Sequence, residues 1–454
     1  MVAFKNMGWL SEISIFMGEN KAKRFVPEEP KKPSHLGILS FEIAKIMSRL
    51  LSLYKSLSDD EISKLRNVMK SQGIAYLNSK DEGFLLSLAC AEMLEDLDKL
   101  AAAVARLGQK CIDIGLNRFD LVYTDLKLGI ADFGKLEYGS KQTEKRVAKM
   151  KRLTGATAGL YSALEALAEL EISERKLKQW KNNSPTQLQN ANFDHFNQKL
   201  EQQRKRVCHF REVSLWSKTF DKSVGLMARL VCIIYARICS VFGPSNPVLS
   251  IKDKILPRSG PISSTSKPIL VRFYSSKSIF SLHGEHEGLG AEKLAKNNRV
   301  FHDAGPSTVG GSGLAMRYAN VIQLAEKYLD SAASVDQDER ESLYQMLPEN
   351  LKASVRIKLS KNMKRAQEDE LLAAGWRDAM AEIMRWLAPI ANDTMKWQWE
   401  RNFDRMKFDS KPSVLLLQTL HFSDKEKTEA AIAELLVGLS CIYRFENRDC
   451  NDHF

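Results

Sequence analysis

The feature that most constrains this fold is a helical spacing of apolar residues that recurs along most of the chain. In residues 36–57, apolar side chains alternate steps of four and three, which places them on one face of an α-helix. They are Leu39, Ile43, Ile46, Leu50, Leu53 and Leu57. Further helices are predicted after capping boxes formed by Ser58 with Glu61 and by Ser79 with Glu82. The sequence predicts an all-α protein with an N-terminal helical bundle, long central helices, a disordered linker and a C-terminal helical domain.

The longest periodic stretch runs from Phe193 to Val241. At some fifty residues it exceeds an ordinary globular helix, so it either forms a coiled-coil-like spine for its neighbours or is broken once near Ser214. Its apolar end is interrupted by Arg229 and Arg237, and its uninterrupted apolar run is shorter than the ~20 residues that a membrane span needs. A buried helix is therefore predicted, and no transmembrane segment.

Composition divides the chain further. Between Pro244 and Pro306, serine, glycine, proline and lysine dominate and no periodicity persists, which predicts a disordered linker. The predicted parts are a flexible arm (1–35), an N-terminal helical domain (36–110), a central helical region (111–243), the linker (244–306), a C-terminal helical domain (307–395) and a helical extension (396–454).

Length and charge bound the class of protein. The 454 residues are 44% hydrophobic and 27% charged, enough for a sizeable core, and the formal net charge of +11 favours acidic partners. Seven widely spaced cysteines are an odd number and indicate a reducing, intracellular environment. Val2 stands where N-myristoylation requires glycine. The nucleus or cytoplasm is expected, with a peripheral position at the plasma membrane as the alternative.

A glycine-rich loop opens a helix in the C-terminal half. Gly310, Gly311, Ser312 and Gly313 precede a helical pattern in which Arg317 lies one turn along. The first amides of a helix attract anions, so a phosphate or nucleotide site is one interpretation. The lysine of a phosphate-binding loop is missing, so close packing of the backbone is the favoured interpretation.

A basic face is predicted where Lys141, Lys145 and Lys149 recur every fourth residue. A solvated helix surface is the favoured interpretation, contact with an anionic membrane surface is the alternative, and nucleic-acid binding through the face from Lys141 to Arg152 is a third, weaker one. Nucleic acid is not expected as a partner, because the four tryptophans between Trp376 and Trp399 are assigned to the core.

Three histidines do not complete a metal site. His283, His286 and His302 lie in the predicted linker, where no cysteine or carboxylate pattern supplies the remaining ligands. No metal, cofactor or catalytic residue is therefore expected.

Two stretches carry a resemblance to a known family. Residues 36–44 (Leu-Gly-Ile-Leu-Ser-Phe-Glu-Ile-Ala), continuing to 89–92, resemble the plant domain of unknown function 3475. Residues 308–322, with 343–348 and 386–389, resemble the plant domain of unknown function 668. Their order resembles that of the plant phytosulfokine-simulator proteins. The resemblance implies a role in vegetative growth and in signalling by the sulfated peptide phytosulfokine, and it supplies no catalytic residues.

Two functions are compatible with these patterns. The first is a non-enzymatic helical scaffold or adaptor with protein partners in growth signalling, because the sequence offers helices and surfaces without a recognisable nucleophile–base pair. The second is a nucleotide- or phosphate-responsive protein that uses the loop at Gly310–Gly313.

Overall fold

The computed structural model describes residues 35–130, 137–183, 190–243, 299–329, 337–363, 370–401 and 414–449. Within these residues the chain forms fifteen α-helices and, apart from two isolated β-bridges, no strand. The helices are α1 (Leu39–Ser56), α2 (Asp59–Met69), α3 (Gln72–Leu77), α4 (Glu82–Gly108), α5 (Ile114–Asn117), α6 (Phe119–Lys127), α7 (Lys141–Asn183), α8 (Asn190–Val213), α9 (Phe220–Phe242), α10 (Arg299–His302), α11 (Ala315–Leu329), α12 (Gln337–Gln345), α13 (Glu349–Met363), α14 (Glu370–Glu400) and α15 (Lys425–Asp449). The predicted all-α class is confirmed.

The helix starts follow capping chemistry, although not always at the predicted residue. Ser58 accepts a hydrogen bond from the Glu61 amide, as predicted. Before α4 the predicted cap Ser79 is wrong, because Asp81 accepts the amides of Gly83 and Phe84 and thus satisfies the first turn. The structure also shows the α15 cap to be Asp424, which accepts from the Lys427 amide.

The central region breaks where the sequence left a choice. α8 ends at Val213, a short 3₁₀ turn covers Leu215–Ser217, and α9 begins at Phe220. The side chain of Ser214 accepts a hydrogen bond from the Trp216 amide at this break. A single spine over Phe193–Val241 is therefore wrong.

The two parts of this region have different environments. α9 is buried against α4 and α1 in the main core, which confirms the predicted buried helix. It is also the one helix of the described residues that is long and apolar enough to cross a membrane, but 56% of its apolar window is buried within the protein. α8 instead pairs with α7 in an antiparallel hairpin that has its own small core of Leu160, Ala163 and Val207.

The C-terminal helices join the N-terminal ones directly. α11, α13 and α14 pack around α15, while α14 contacts α3 and the 3₁₀ turn Leu416–Gln418 contacts α4. Hydrogen bonds cross the same boundary, since the Asp424 amide donates to the Leu77 carbonyl at 2.7 Å and Asn78 Nδ2 donates to the Leu417 carbonyl at 3.2 Å. One continuous hydrophobic core therefore spans both halves.

The predicted linker (244–306) extends too far toward the C-terminus. Residues 299–306 are ordered, since they form α10 and the turn after it, and the Val300 amide donates to Glu95 of α4 at 3.1 Å. Residues 244–298 lie outside the described part of the chain, as do residues 1–34 of the predicted arm. The first described residue, His35, forms a bridge with Thr219.

Candidate functional site

The glycine-rich loop is held by its own backbone. Val309 and Gly310 donate to the carbonyls of Ser423 and His421, each at 2.9 Å, so the loop lies against the segment that precedes α15. The amides of residues 311–314 donate to acceptors inside the loop. The amides on the glycines are therefore already engaged.

Gly310 and Gly311 leave no room for a side chain. A Cβ atom at Gly310 would lie less than 3.0 Å from the His421 ring, and one at Gly311 less than 3.0 Å from the Gly305 carbonyl. Gly313 has φ +71°, which L side chains rarely adopt. These observations favour the packing interpretation. Arg317 is exposed on the first turn of α11, and a phosphate site at this helix end stays a prediction.

An aromatic stack lies beneath this loop. The Phe301 ring of α10 lies between His421 and Trp397, with ring centroids 4.1 Å and 5.7 Å apart respectively. His421 Nε2 donates to the Phe301 carbonyl at 2.8 Å, and burial lowers the pKa of His421. His421 is thus a buried neutral histidine that the sequence pattern did not single out.

The basic face lies on the first turns of α7. Lys141, Lys145 and Lys149 are all exposed. Lys149 also borders a groove of about 620 Å³ between the base of the hairpin and the start of α9. Three more cations line that groove, namely Arg152, Lys218 and Lys222. The exposed lysines fit either a solvated surface or an anionic contact.

Two further arginines, Arg146 of α7 and Arg229 of α9, lie close enough to repel each other beside this basic face. Burial, followed by the charge of Arg146, lowers the pKa of Arg229 to about 10. Arg229 belongs to α9 and Arg146 to α7, so the positive potential extends across both helices.

A buried charged cluster joins the two halves of the chain. Glu92 of α4 accepts from Trp397 Nε1 at 2.9 Å and from the Leu416 amide at 2.7 Å. Arg401 donates to both Glu92, at 2.6 Å, and Asp96. Glu92 and Arg401 are each about 5% exposed. We call Glu92, Asp96, Trp397, Arg401 and Leu416 the joint cluster.

The pKa values of Glu92 and Arg401 are both raised, but for different reasons. Burial raises the pKa of Glu92, and the charge of Arg401 offsets this only in part. Burial alone would lower the pKa of Arg401, but Asp96 and Glu92 outweigh it and the pKa is raised. The Glu92 oxygens accept from three donors, so this carboxylate is satisfied while the pair stays intact, whereas Arg401 Nε has no hydrogen-bond partner among the described residues. Sequence spacing could not reveal it, because Glu92 and Trp397 are 305 positions apart.

A cavity of about 500 Å³ lies beside the joint cluster, between α1, α2 and α4. Its rim carries several cations, most of which are paired within the chain. The pairs are Arg106 with Glu42, Lys64 with Glu61, Lys99 with Glu95, and Arg401 with Asp96. Two of these pairs, Arg106 with Glu42 and Arg401 with Asp96, join separate elements, and the other two lie within one helix.

Metal chemistry finds no support in the described residues, which contain no group of three His, Cys, Asp or Glu side chains placed to hold an ion. Of the three histidines considered from sequence, His283 and His286 lie outside the described part, and His302 belongs to α10.

The fold and the joint cluster define a class: an all-α protein in which an N-terminal and a C-terminal helical domain share one core. Comparison with known proteins gives the same division. The model of a domain of unknown function, DUF3475, matches residues 38–93, and that of a protein of unknown function, DUF668, matches residues 308–396. Of the joint cluster, Glu92 lies within the first match, Asp96 follows that match, and Trp397, Arg401 and Leu416 follow the second.

Three curated relatives from Arabidopsis thaliana match most of the chain. Protein PSK SIMULATOR 1 is 27% identical over 422 residues and protein PSK SIMULATOR 3 is 26% identical over 419 residues. Each alignment covers 90% of this chain and 56% of the relative, so the chain spans little more than half the relatives' length. No solved structure is significantly similar. These matches confirm the resemblance to the phytosulfokine-simulator proteins seen in the sequence, over about 90% of this chain.

Proposed function

We propose that this protein is a non-enzymatic helical scaffold or adaptor that promotes plant growth in connection with phytosulfokine. The relatives' names support the connection with phytosulfokine. Neither these names nor those of the matched domains describe an enzyme. The observation that supports a scaffold is the α7–α8 hairpin, which extends from a core that both domains share.

The hairpin has the form of a contact arm. α7 is 43 residues long, about 64 Å at 1.5 Å per residue. Its small core lies in the half near the body, where Gln203 Nε2 donates to the Ala163 carbonyl at 2.9 Å. Further out, Leu200 is buried (3% exposed), but Ile172 is 49% exposed and the other described side chains are half-buried or exposed. Side chains that the fold does not bury are available to a protein partner.

Shortening the hairpin tests this proposal. Residues 168–202 are replaced by a short Gly-Ser turn, which leaves Leu160, Ala163 and Val207 in place. Thermal unfolding should occur within about 2 °C of the full chain, because the main core is unchanged. In seedlings that lack PSK SIMULATOR 1, the full chain should restore root growth and the shortened chain should not.

A matched substitution controls for global damage. Leu160→Ala removes a fully buried side chain from the hairpin core and should lower hairpin stability while the exposed surface stays the same.

Full growth activity of the shortened chain would reject the hairpin as the contact arm. Failure of the full chain to restore any growth would reject the connection with growth.

A second candidate function is contact with an anionic membrane surface through the basic face. The observation that favours it is the set of cations around one groove, together with the half-exposed apolar side chain of Val213 (42% exposed). Cations and an adjacent apolar side chain suit lipid headgroups and the acyl chains next to them.

Reversal of the basic face tests this candidate. Lys141→Glu, Lys145→Glu and Lys149→Glu together should abolish binding to vesicles that contain about 30% anionic lipid, and added salt should weaken wild-type binding steeply. The control reverses three exposed lysines outside α7, at Lys64, Lys80 and Lys110, which gives the same net charge. Equal vesicle binding by both triple variants would reject the membrane contact and leave the basic face as a solvated surface.

A further inference from the structure

A second cavity lies in the C-terminal half, where α11, α12, α13 and α15 converge. Its volume is about 260 Å³. Its apolar wall consists of Leu343, Leu347, Val355, Leu359, Leu436 and Leu439. All of these except Leu359 are less than 10% exposed, so the wall belongs to the main core. The space is thus an apolar cavity within a packed four-helix junction.

Two buried polar atoms line this cavity without a partner. Tyr344 Oη and Arg340 Nε have no hydrogen bond to any described residue, and both residues line the cavity from α12. Buried polar atoms are nearly always hydrogen-bonded, so two exceptions in one cavity require an explanation. A ligand group that accepts a hydrogen bond from each of these two atoms would explain both exceptions.

The charge around the cavity indicates that this ligand group is anionic. Among the described residues that line it, Arg340 is the one with a charge, and its guanidinium carbon lies 3.9 Å from the centre of the Tyr443 ring. The Tyr344 ring is approached by Lys352 Nζ at 5.5 Å and by the Arg356 guanidinium at 5.6 Å. The local potential is therefore positive.

Nearby carboxylates do not neutralise Arg340. Among the described residues, Glu349 pairs with Lys352 at 2.9 Å, and Glu434 pairs with Lys358 at 2.5 Å. Glu339 lies 3.8 Å from Lys327. None of the described residues that line the cavity is Asp or Glu. An anionic ligand therefore meets a cation without a competing carboxylate on the cavity wall.

We propose that this cavity binds a small amphipathic carboxylate. Its apolar body, of roughly a dozen non-hydrogen atoms for a space of about nine water volumes, contacts the leucine wall. Its carboxylate accepts hydrogen bonds from Arg340 and from the Tyr344 hydroxyl. A phosphate is less suitable, because one arginine and one hydroxyl do not compensate a buried dianion.

Calorimetric titration of the full chain with decanoate tests the site. Decanoate should bind saturably with one site per chain, whereas 1-decanol, which has the same apolar body without the carboxylate, should bind at least tenfold more weakly. Arg340→Gln should raise the Kd by roughly ten- to a hundredfold, since it removes a hydrogen bond to a charged group. Arg385→Gln, an exposed arginine on α14, is the matched control and should bind as the wild type does.

Tyr344→Phe keeps the proposal testable if Arg340→Gln misfolds. The hydroxyl has no partner in the folded chain, so its removal should leave the melting temperature unchanged or raise it. The same variant should weaken decanoate binding about tenfold. Absence of saturable decanoate binding to the wild type, or equal binding by wild type and Tyr344→Phe, would overturn the site.

Discussion

Replacing Gly311 by valine is expected to destabilise the C-terminal half by roughly 3 kcal/mol or more. A Cβ atom there would collide with the backbone carbonyls of Gly305 and Ala304, which cannot rotate away as a side chain can. The loop would have to leave the strand-like pairing that joins Thr308 to Asp424. Thermal unfolding, together with hydrogen exchange of α11 amides, would measure the loss.

Two further variants separate packing from an anion site. Gly155→Ala places its Cβ in open space within α7 and should stabilise by about 0.5–1 kcal/mol. Arg317→Ala should change stability little, because Arg317 is exposed. The packing interpretation would fail if ATP raised the melting temperature of the wild type and Arg317→Ala removed that rise.

Replacing Arg401 by methionine is expected to destabilise the protein by about 3–5 kcal/mol, because Glu92 is left buried without its cation. Methionine retains much of the apolar stem, so the loss reflects charge rather than volume. Unfolding by urea, followed by tryptophan fluorescence, would measure it, since Trp397 belongs to the joint cluster. Arg385→Met, which removes an exposed arginine from α14, is the control and should change the free energy of unfolding by less than about 1 kcal/mol.

The pH dependence of stability tests whether the charge of Glu92 causes this loss. Burial raises the pKa of Glu92, and loss of Arg401 removes the main opposing charge. The folded variant then binds a proton at pH values where the unfolded chain does not, so its stability rises as the pH falls through the raised pKa. The deficit relative to wild type should be full at about pH 8 and smaller at about pH 5. A deficit that is constant or larger at low pH would contradict the assignment to Glu92.

Removing both charges provides an independent check. Glu92→Gln combined with Arg401→Met should be less destabilised than the sum of the two single variants, because residue 92 then carries no buried charge and only the partly exposed Asp96 loses its cation. Strict additivity would show that the two groups do not interact.

The sequence by itself determined the helices and their inward faces. The stripe from Leu39 to Leu57 is buried or half-buried in α1, and Ile432, Leu435, Leu439 and Ile442 are buried in α15. Periodicity is local information: a helix of known period places its apolar residues on one face whatever covers them. The family resemblance was also readable, since it rests on contiguous motifs.

Tertiary structure alone decided where those helices break and which charges are buried. The break at Ser214 and the order of residues 299–306 each depend on what packs against them. The joint cluster and the cavity at Arg340 depend on side chains from distant parts of the chain, which meet only after folding. No local pattern distinguishes Glu92 from an exposed glutamate, because its burial is compensated by an arginine 309 positions away.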